Sequence, residues 1–281
     1  MDLREDSQQY QRYSKKRHSK RGHMQSKGKR VGRDSKTIRP VEIDIGFHRL
    51  AEGSVLYKAG GTIVLVTASI DDSVPDFLRG QGTGWATAEY QMHPRANPDR
   101  RQYRDGRGRA ISGRSQEIQR LIGRAIRSAI VLPLLGERTV MIDCDVLEAD
   151  GGTRTASITG AWVAVAVALL KMRQRGVLTE PLLRDQVAAV SVGCVDGDIL
   201  LDLNYAEDSA ARVDLNLVGT ARGGVVEVQG TAEGEAIPRA EMDAMIDVAF
   251  GGVDALLGVQ RDALSSAGID AGPLMVDGGE K

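Results

Sequence analysis

A helix with almost no charge is the feature of this sequence that most restricts how the chain can fold. Residues 157–172 are apolar or small around nearly the whole helical circumference, and a helix with that pattern is buried on all sides. The uncharged residues 156–170 form a stretch shorter than the roughly 18 to 20 apolar residues that a bilayer span needs. The sequence therefore predicts a protein without a membrane span, in which other elements surround this helix.

Strand patterns precede helix patterns in both halves of the chain. In the first half, alternating or β-branched apolar runs begin at Val41 and the last helix ends near Met172. In the second half, such runs begin at Val187 and a helix ends near Leu264. This order predicts an α+β fold, a single domain over residues 38–267 that consists of two pseudo-equivalent strands-then-helix halves.

Charge is unevenly distributed, although the net charge is -1. Residues 1–39 hold 13 Lys or Arg and 4 Asp or Glu, whereas the rest of the chain holds 24 and 34. Residues 1–37 have few aliphatic side chains to bury, so we predict a disordered basic extension there. Such an arm would add salt-sensitive attraction to nucleic acid, and a merely solubilising extension is the alternative. The Gly-rich residues 268–281 predict a flexible C-terminal tail.

The cysteines and the start of the chain bear on its compartment. Cys144 and Cys194 are too few for a disulfide scaffold or a four-cysteine zinc site. The first residues lack the apolar segment of a secretory signal. We therefore expect a cytoplasmic protein whose cysteines are small buried side chains.

Residues 74–109 form a long irregular stretch rich in glycine, proline and arginine, and loops of that length in a compact domain are usually functional. Residues 95–127 contain ten arginines, no lysine and three acids. Because arginine binds phosphate through two parallel hydrogen bonds, this block favours a partner with many phosphates. An interface rich in arginine–carboxylate pairs is the alternative.

The sequence Gly151-Gly152-Thr153-Arg154 joins a predicted strand to the uncharged helix. Such a junction presents unpaired backbone N–H groups and the positive end of the helix dipole, and glycine lets an anion approach the backbone closely. The Thr153 hydroxyl and the Arg154 guanidinium would add two more donors. The junction predicts an anion site, with a capped tight turn as the alternative.

Three aspartates, Asp202, Asp208 and Asp214, follow one another at six-residue intervals. Asp202 interrupts an apolar strand, where an unpaired charge is costly. Carboxylates gathered in one cleft suit Mg²⁺, or a general acid beside a phosphate, while solvated loop acids and turn caps are the alternative. With the anion junction and the arginine block, they indicate a phosphate-using enzyme that acts on a polyanion.

Six longer motifs occur in one order along the chain. They are GQGTGWATAEY at residues 80–90, GRSQEIQRLIGR at 113–124, DCDV at 143–146, ADGGTRTASITG at 149–160, EDSAA at 207–211 and EVQGTAEGE at 227–235. Together they resemble the bacterial ribonuclease PH family over about residues 38–265, so the fold is expected to be a single ribonuclease PH-type domain.

The resemblance implies a phosphorolytic 3′-to-5′ exoribonuclease. Inorganic phosphate would attack the last phosphodiester of precursor tRNA and of other RNA 3′ ends, releasing nucleoside 5′-diphosphates, and the reverse reaction would add nucleotides. It also implies Mg²⁺ as cofactor and a homohexamer assembled as a trimer of dimers.

The resemblance also implies roles for individual residues. Asp202 and Asp208 match two essential aspartates, associated with Mg²⁺ and with protonation of the leaving 3′-oxygen, and Asp214 matches a further family aspartate. The division of roles between the first two stays open. The residues that would hold phosphate are Arg114, Gly152, Thr153 and Arg154. The loop at residues 93–105 departs from the family pattern, and its candidates for contacting RNA are Arg95, Arg100, Arg101 and Arg104.

Two other hypotheses compete with that of a phosphorolytic exoribonuclease. A catalytically silent exosome-like ring subunit that binds RNA would share the fold, but it predicts loss of the matched arginines or aspartates, which are all present here. A basic RNA-binding protein that works through its extension predicts that removal of residues 1–37 abolishes function. The exoribonuclease hypothesis instead predicts that the protein without residues 1–37 keeps its catalytic activity but binds RNA more weakly and with greater salt sensitivity.

Overall fold

The computed structural model describes Arg30, residues 32–97, Arg101, Tyr103 and residues 110–276. The chain separates into two compact units at residue 33, and the second unit contains every described helix and strand. Most of the predicted basic extension lies outside the described residues. Residues 33–37 belong to the second unit, where the backbone N–H of Leu201 donates to the carbonyl oxygen of Ser35 at 2.7 Å. The compact unit therefore begins before residue 38, because this segment supplies an acceptor for a strand in the second half.

The first half of this unit contains a mixed sheet with the strand order β1-β2-β3-β5-β4. Strand β4 runs parallel to β5, and the other neighbours are antiparallel. The strands are β1 (Val41–Ile45), β2 (Gly53–Ala59), β3 (Thr62–Asp71), β4 (Trp85–Met92) and β5 (Thr139–Glu148). The helices are α1 (Gly113–Ala129), α2 (Leu132–Leu135) and α3 (Thr153–Gln174), with a 3-10 turn at Asp76–Leu78.

The second half contains an antiparallel sheet with the order β7-β6-β8-β9. Its strands are β6 (Val187–Val195), β7 (Asp198–Leu201), β8 (Val213–Thr220) and β9 (Val225–Ala232). Its helices are α4 (Tyr205–Ala210) and α5 (Arg239–Ser266). The two halves, each with strands and a closing helix, confirm the predicted α+β class.

Helix α3 lies between the two sheets, as its lack of charge predicts. Thr159 Oγ1 accepts a hydrogen bond from the backbone N–H of Ala189 on β6 at 3.1 Å. On the opposite side, Gly53 of β2 approaches so closely that a Cβ there would lie 1.8 Å from the carbonyl oxygen of Ala164. Within the described ranges, α3 is the helix long and apolar enough to cross a membrane, but 89% of its apolar window is buried inside the protein. It is thus the central core helix of this unit.

Two elements differ from the sequence prediction. Strand β4 lies inside the stretch predicted to be irregular, and it forms because Ala86, Ala88 and Tyr90 alternate toward the core. At the C-terminal end, Leu274 is buried and its carbonyl oxygen accepts from the backbone N–H of Leu183 at 2.7 Å. The segment up to residue 276 therefore packs on the core, and the rest of the predicted flexible tail lies outside the described residues.

Candidate active site

A cavity of about 820 Å³ lies between the two halves of the compact unit. Both halves contribute polar side chains to its wall, which is why the predicted candidates meet there although they are far apart in sequence. The predicted residues that line it are Arg101, Arg114, Gly152, Thr153, Arg154, Asp208 and Asp214. Arg95 is exposed and is not part of this wall, while Arg100 and Arg104 lie outside the described residues.

The predicted anion junction forms the inner wall of the cavity. Gly151 and Gly152 both have positive φ, +76° and +63°, and Gly152 is the N-cap of α3. A side chain at Gly151 would collide with the backbone, because its Cβ would lie 2.4 Å from the carbonyl oxygen of Leu203. The Thr153 hydroxyl forms a 2.8 Å hydrogen bond with the Tyr90 hydroxyl. The first turn of α3 therefore presents its N–H groups and a fixed hydroxyl to the cavity.

Arg154 is oriented by a chain of contacts that crosses from one half to the other. Its Nη1 donates to Gln229 Oε1 at 3.2 Å, and Gln229 Nε2 donates to Glu227 Oε1 at 3.0 Å. Arg124 on α1 closes the chain by donating to both carboxylate oxygens of Glu227, at 2.7 and 2.6 Å. The guanidinium of Arg154 is thus held at the cavity wall by contacts within the protein.

Arg114 reaches the same cavity from the start of α1. Ser112 caps this helix, its Oγ accepting from the backbone N–H of Ser115 at 3.1 Å. The side chain of Arg114 is exposed. Its positive charge and that of Arg154 both act on Asp208. Two guanidinium groups on the cavity wall therefore act electrostatically on one carboxylate.

Asp208 lies on α4, a short helix that the sequence analysis missed. Its start is fixed by a capping box, in which Asn204 Oδ1 accepts from the backbone N–H of Glu207 at 2.9 Å and Glu207 Oε2 accepts from that of Asn204 at 3.0 Å. Burial raises the pKa of Asp208, and the nearby charge of Asp214 raises it further. These two carboxylates therefore share one electrostatic environment on the cavity wall.

Asp202 has a different environment from the one predicted. Both of its carboxylate oxygens are bound by arginines: Arg39 Nη2 donates to Oδ1 at 2.7 Å, and Arg39 Nε and Arg33 Nη1 donate to Oδ2 at 3.0 and 3.1 Å. Burial raises the pKa of Asp202, but the two guanidiniums lower it by more, so it lies below its ordinary value. Asp202 is absent from the lining of the cavity.

The predicted cluster of three aspartates is therefore divided. Asp208 and Asp214 face the cavity, whereas Asp202 lies behind the glycine junction and is neutralised by Arg33 and Arg39. In the part of the chain that is described, no group of three or more histidine, cysteine, aspartate or glutamate side chains could hold a metal ion. The backbone at Asp202, with φ of +54°, has left the extended conformation of β7, which ends at Leu201, and the side chain there contacts Arg33 and Arg39.

Sequence reasoning missed four residues that shape this site, Tyr90, Gln229, Arg33 and Arg39. Tyr90 and Gln229 do lie in the quoted motifs, and the alternation of Ala86, Ala88 and Tyr90 could have placed the tyrosine inward. No local sequence pattern pointed to Arg33 or Arg39. The one indication was general: a charge inside an apolar strand, such as that of Asp202, needs a partner.

Comparison with known proteins settles the family. Residues 37–171 match domain 1 of the 3′ exoribonuclease family, and residues 185–252 match domain 2. The chain is also 48% identical over 232 residues to ribonuclease PH of Syntrophomonas wolfei, covering 83% of this chain and 97% of that protein. The chain belongs to the ribonuclease PH family of 3′ exoribonucleases. Members of this family are phosphorolytic, so the predicted activity, 3′-to-5′ exonucleolytic phosphorolysis with inorganic phosphate as co-substrate, is confirmed.

Solved structures share the ribonuclease PH fold at lower identity. Rice (Oryza sativa) Rrp46 superposes with a TM-score of 0.66 at 17% identity, covering 83% of this chain and 98% of that one. A chain of the Archaeoglobus fulgidus exosome, solved with RNA bound to the active site, gives 0.64 at 22% identity, with 85% and 92% covered. These distant relatives show the fold alone. The much higher identity to a ribonuclease PH disfavours the exosome-like silent subunit.

Proposed function

We propose that this enzyme trims the 3′ end of precursor tRNA and of other RNAs, and that the cavity holds the RNA 3′ end together with inorganic phosphate. One observation carries this proposal: Arg114, Thr153, Arg154 and Asp208 line the same cavity, although they come from three different helices in the two halves. Phosphate would lie against the first turn of α3 and the two guanidiniums, where donors for an anion are already in place.

The reaction fits these groups. An oxygen of hydrogen phosphate attacks the last phosphodiester phosphorus, the bond to the 3′-oxygen of the preceding nucleotide breaks, and a nucleoside 5′-diphosphate leaves. In the net reaction the proton of hydrogen phosphate ends on that 3′-oxygen. Charge that develops on the transferred phosphoryl group would be stabilised by Arg114, Arg154 and the N–H groups of α3.

The resemblance left open the roles of two aspartates, Asp202 and Asp208. We propose that Asp208 is the one that acts at the reacting atoms. It lines the cavity, whereas both carboxylate oxygens of Asp202 are bound by guanidinium groups. From its position on the cavity wall, the carboxyl group of Asp208 would face the bound phosphate and the leaving 3′-oxygen.

Mg²⁺ fits only part of the predicted ligand set. Asp208 and Asp214 line one cavity and repel each other electrostatically, and Mg²⁺ is commonly held by one or two carboxylates plus substrate phosphates. Asp202 does not fit, because its oxygens already accept from Arg39 and Arg33. When bound by Asp208 and Asp214, the ion would neutralise charge on the phosphate oxygens.

For the assembly we propose a homohexamer, a trimer of dimers. The described surface exposes large apolar side chains that a monomer would leave in water, including Phe47, Leu50 and Phe77. Light scattering on the purified protein tests this state directly. We also propose that the enzyme works in the cytoplasm, where its two buried free cysteines would stay reduced.

For the RNA, Arg95 and Arg101 remain our candidates for backbone contacts, together with Arg100 and Arg104. Arg101 lines the cavity, and Arg95 is exposed near it in sequence. Their replacement by glutamine should weaken RNA binding and reduce its salt dependence by about one counterion for each phosphate that is no longer neutralised. Filter binding at several salt concentrations measures that slope.

The deciding experiment incubates the purified protein with a tRNA precursor that carries a short 3′ extension, with Mg²⁺ and with or without inorganic phosphate. We expect the wild-type protein to release nucleoside diphosphates only when phosphate is present. The rate of this release should fall by roughly 10²-fold or more in Asp208→Asn protein that keeps the wild-type oligomer. Arg114→Ala should raise the KM for phosphate. Release of monophosphates without phosphate would mean hydrolysis, and binding without release would restore the silent-subunit hypothesis.

A further inference from the structure

The ion-paired Asp202 connects the two walls of the cavity. Arg39 binds it three times, through Nε, through Nη2 and through its own backbone N–H, which donates to Oδ2 at 2.7 Å. Arg33 binds it through Nη1, and its Nη2 donates to the carbonyl oxygen of Asp202 at 2.7 Å. All three side chains are largely removed from solvent. One carboxylate therefore holds two buried guanidinium groups that would otherwise repel each other.

Arg39 also binds the glycine junction from behind. Its Nη1 donates to the carbonyl oxygen of Asp150 at 2.6 Å, and its Nη2 approaches that of Gly151 at 3.5 Å. Thr62 Oγ1 donates to the same Gly151 oxygen at 2.7 Å. In a trans peptide the C=O and the following N–H point in opposite directions. With these carbonyl groups turned toward Arg39, the N–H groups of Gly151 and Gly152 are turned toward the cavity that both residues line.

Arg33 binds the opposite wall. Its Nη2 lies 3.4 Å from Glu207 Oε2, and Glu207 is the capping-box residue that fixes the first turn of α4. The next residue along α4 is Asp208. A displacement of Arg33 would therefore release the helix start that carries Asp208.

We propose that Arg33 and Arg39 are positioning residues, and that Asp202 is the counterion that joins them. Arg39 directs the backbone N–H groups of the junction toward phosphate, and Arg33 sets the position of Asp208 relative to that phosphate. This inference rests on the proposed binding of phosphate at the junction. It also gives Asp202 a role that requires no contact with substrate or metal.

The test measures phosphorolysis of a 3′-extended RNA at saturating RNA and varied phosphate. Arg39→Lys keeps a cation beside Asp202 but cannot span both Asp202 and the junction. We expect it to raise the KM for phosphate at least about 10-fold, because small displacements of positioned groups are costly. Arg33→Ala should instead lower kcat and leave the KM for phosphate near the wild-type value, and Arg33→Lys should recover part of kcat.

Arg175→Ala is the matched control. Arg175 pairs with Glu52 at the opposite end of α3 and is 60% exposed, so both constants should stay at wild-type values. Oligomeric state and unfolding temperature are measured for every variant, because a purely structural role would lower the active fraction without moving the KM. If Arg39→Lys does not fold, Thr62→Val removes another donor to the Gly151 carbonyl and should raise the same KM.

The wild-type result separates the two proposals. If the wild-type oligomer shows no phosphate-dependent release, the proposed function fails. If it does, and folded Arg39→Lys and Arg33→Ala proteins keep both wild-type constants, the proposed function stands and the positioning role is overturned. Equal effects of both variants on kcat alone would also overturn the division of labour between the two arginines.

Discussion

Gln229 on β9 accepts a hydrogen bond from Arg154 on α3, with 3.2 Å between Oε1 and Nη1, so the second sheet orients an arginine of the first half. Gln229→Ala removes that acceptor and lets the guanidinium move. We expect a several-fold rise in the KM for phosphate and little change in the KM for RNA. An unchanged KM for phosphate in steady-state assays would show that Arg154 does not depend on Gln229.

The hydroxyl of Tyr90 orients Thr153 at the floor of the cavity, and Tyr90 is buried. Tyr90→Phe keeps the ring and removes only the hydrogen bond. We expect phosphate binding to weaken by about 1 kcal/mol, the typical net contribution of one such bond, while the unfolding temperature stays close to the wild-type value. Isothermal titration with inorganic phosphate measures the loss, and a large drop in unfolding temperature would assign the bond to the core instead.

The ion pairs of Asp202 make stability depend on pH in a defined direction. Burial raises its pKa, but Arg39 and Arg33 lower it by more, so the folded value lies below the unfolded value. The stabilisation is therefore complete above the unfolded pKa, about 4, and is lost as the pH falls through the folded pKa. At pH 7, Asp202→Asn should cost about 3 kcal/mol, because it removes the carboxylate that pairs with the buried guanidinium of Arg39 and that also pairs with Arg33 beside Glu207.

Urea unfolding of wild type and Asp202→Asn between pH 7 and the acid range tests this linkage. The difference in unfolding free energy between the two proteins should be constant at neutral pH and should shrink as the pH falls below about 4. A difference that stays the same down to the acid transition would show that the pKa of Asp202 is the same in the folded and unfolded protein, so that the two arginines do not stabilise its charged form.

The contact between β2 and α3 predicts a large difference between two glycine substitutions. Gly53→Ala would place a Cβ 1.8 Å from the carbonyl oxygen of Ala164, so strand and helix must separate, at a cost of about 3 kcal/mol or more. Gly251→Ala in α5 meets nothing within 4 Å and should stabilise by up to about 1 kcal/mol. Thermal unfolding of both proteins gives the comparison, and similar unfolding temperatures would contradict the close approach.

The sequence predicted those parts of the structure that local pattern determines. The lack of charge in α3 predicted its burial. The Gly-Gly-Thr-Arg junction lies on the wall of the cavity, and the anion site expected there stays a prediction. The position of Asp202 could not be predicted in the same way. Its partner Arg39 is 163 residues away, and neither neighbourhood contains a sign of the other.

Strand β4 and helix α4 were missed for different reasons. The strand pattern of β4 consists of the alternating Ala86, Ala88 and Tyr90, and the glycine, proline and arginine around them favoured an irregular segment instead. The strand pairs with β5, which lies more than 40 residues later in the chain. Helix α4 is six residues long, so its hydrophobic periodicity carries almost no information. Its capping box, Asn204 with Glu207, was the readable signal.

The two walls of the cavity differ in how they can move. Thr153 and Arg154 begin a helix whose body is buried between both sheets, so this wall can shift only if the core of the protein opens as well. Asp208 lies on a helix without buried residues, which can open locally at little cost. If the cavity binds phosphate and the RNA end as proposed, the Asp208 side is therefore the side that yields when RNA enters and the diphosphate departs, while the Thr153 side stays fixed.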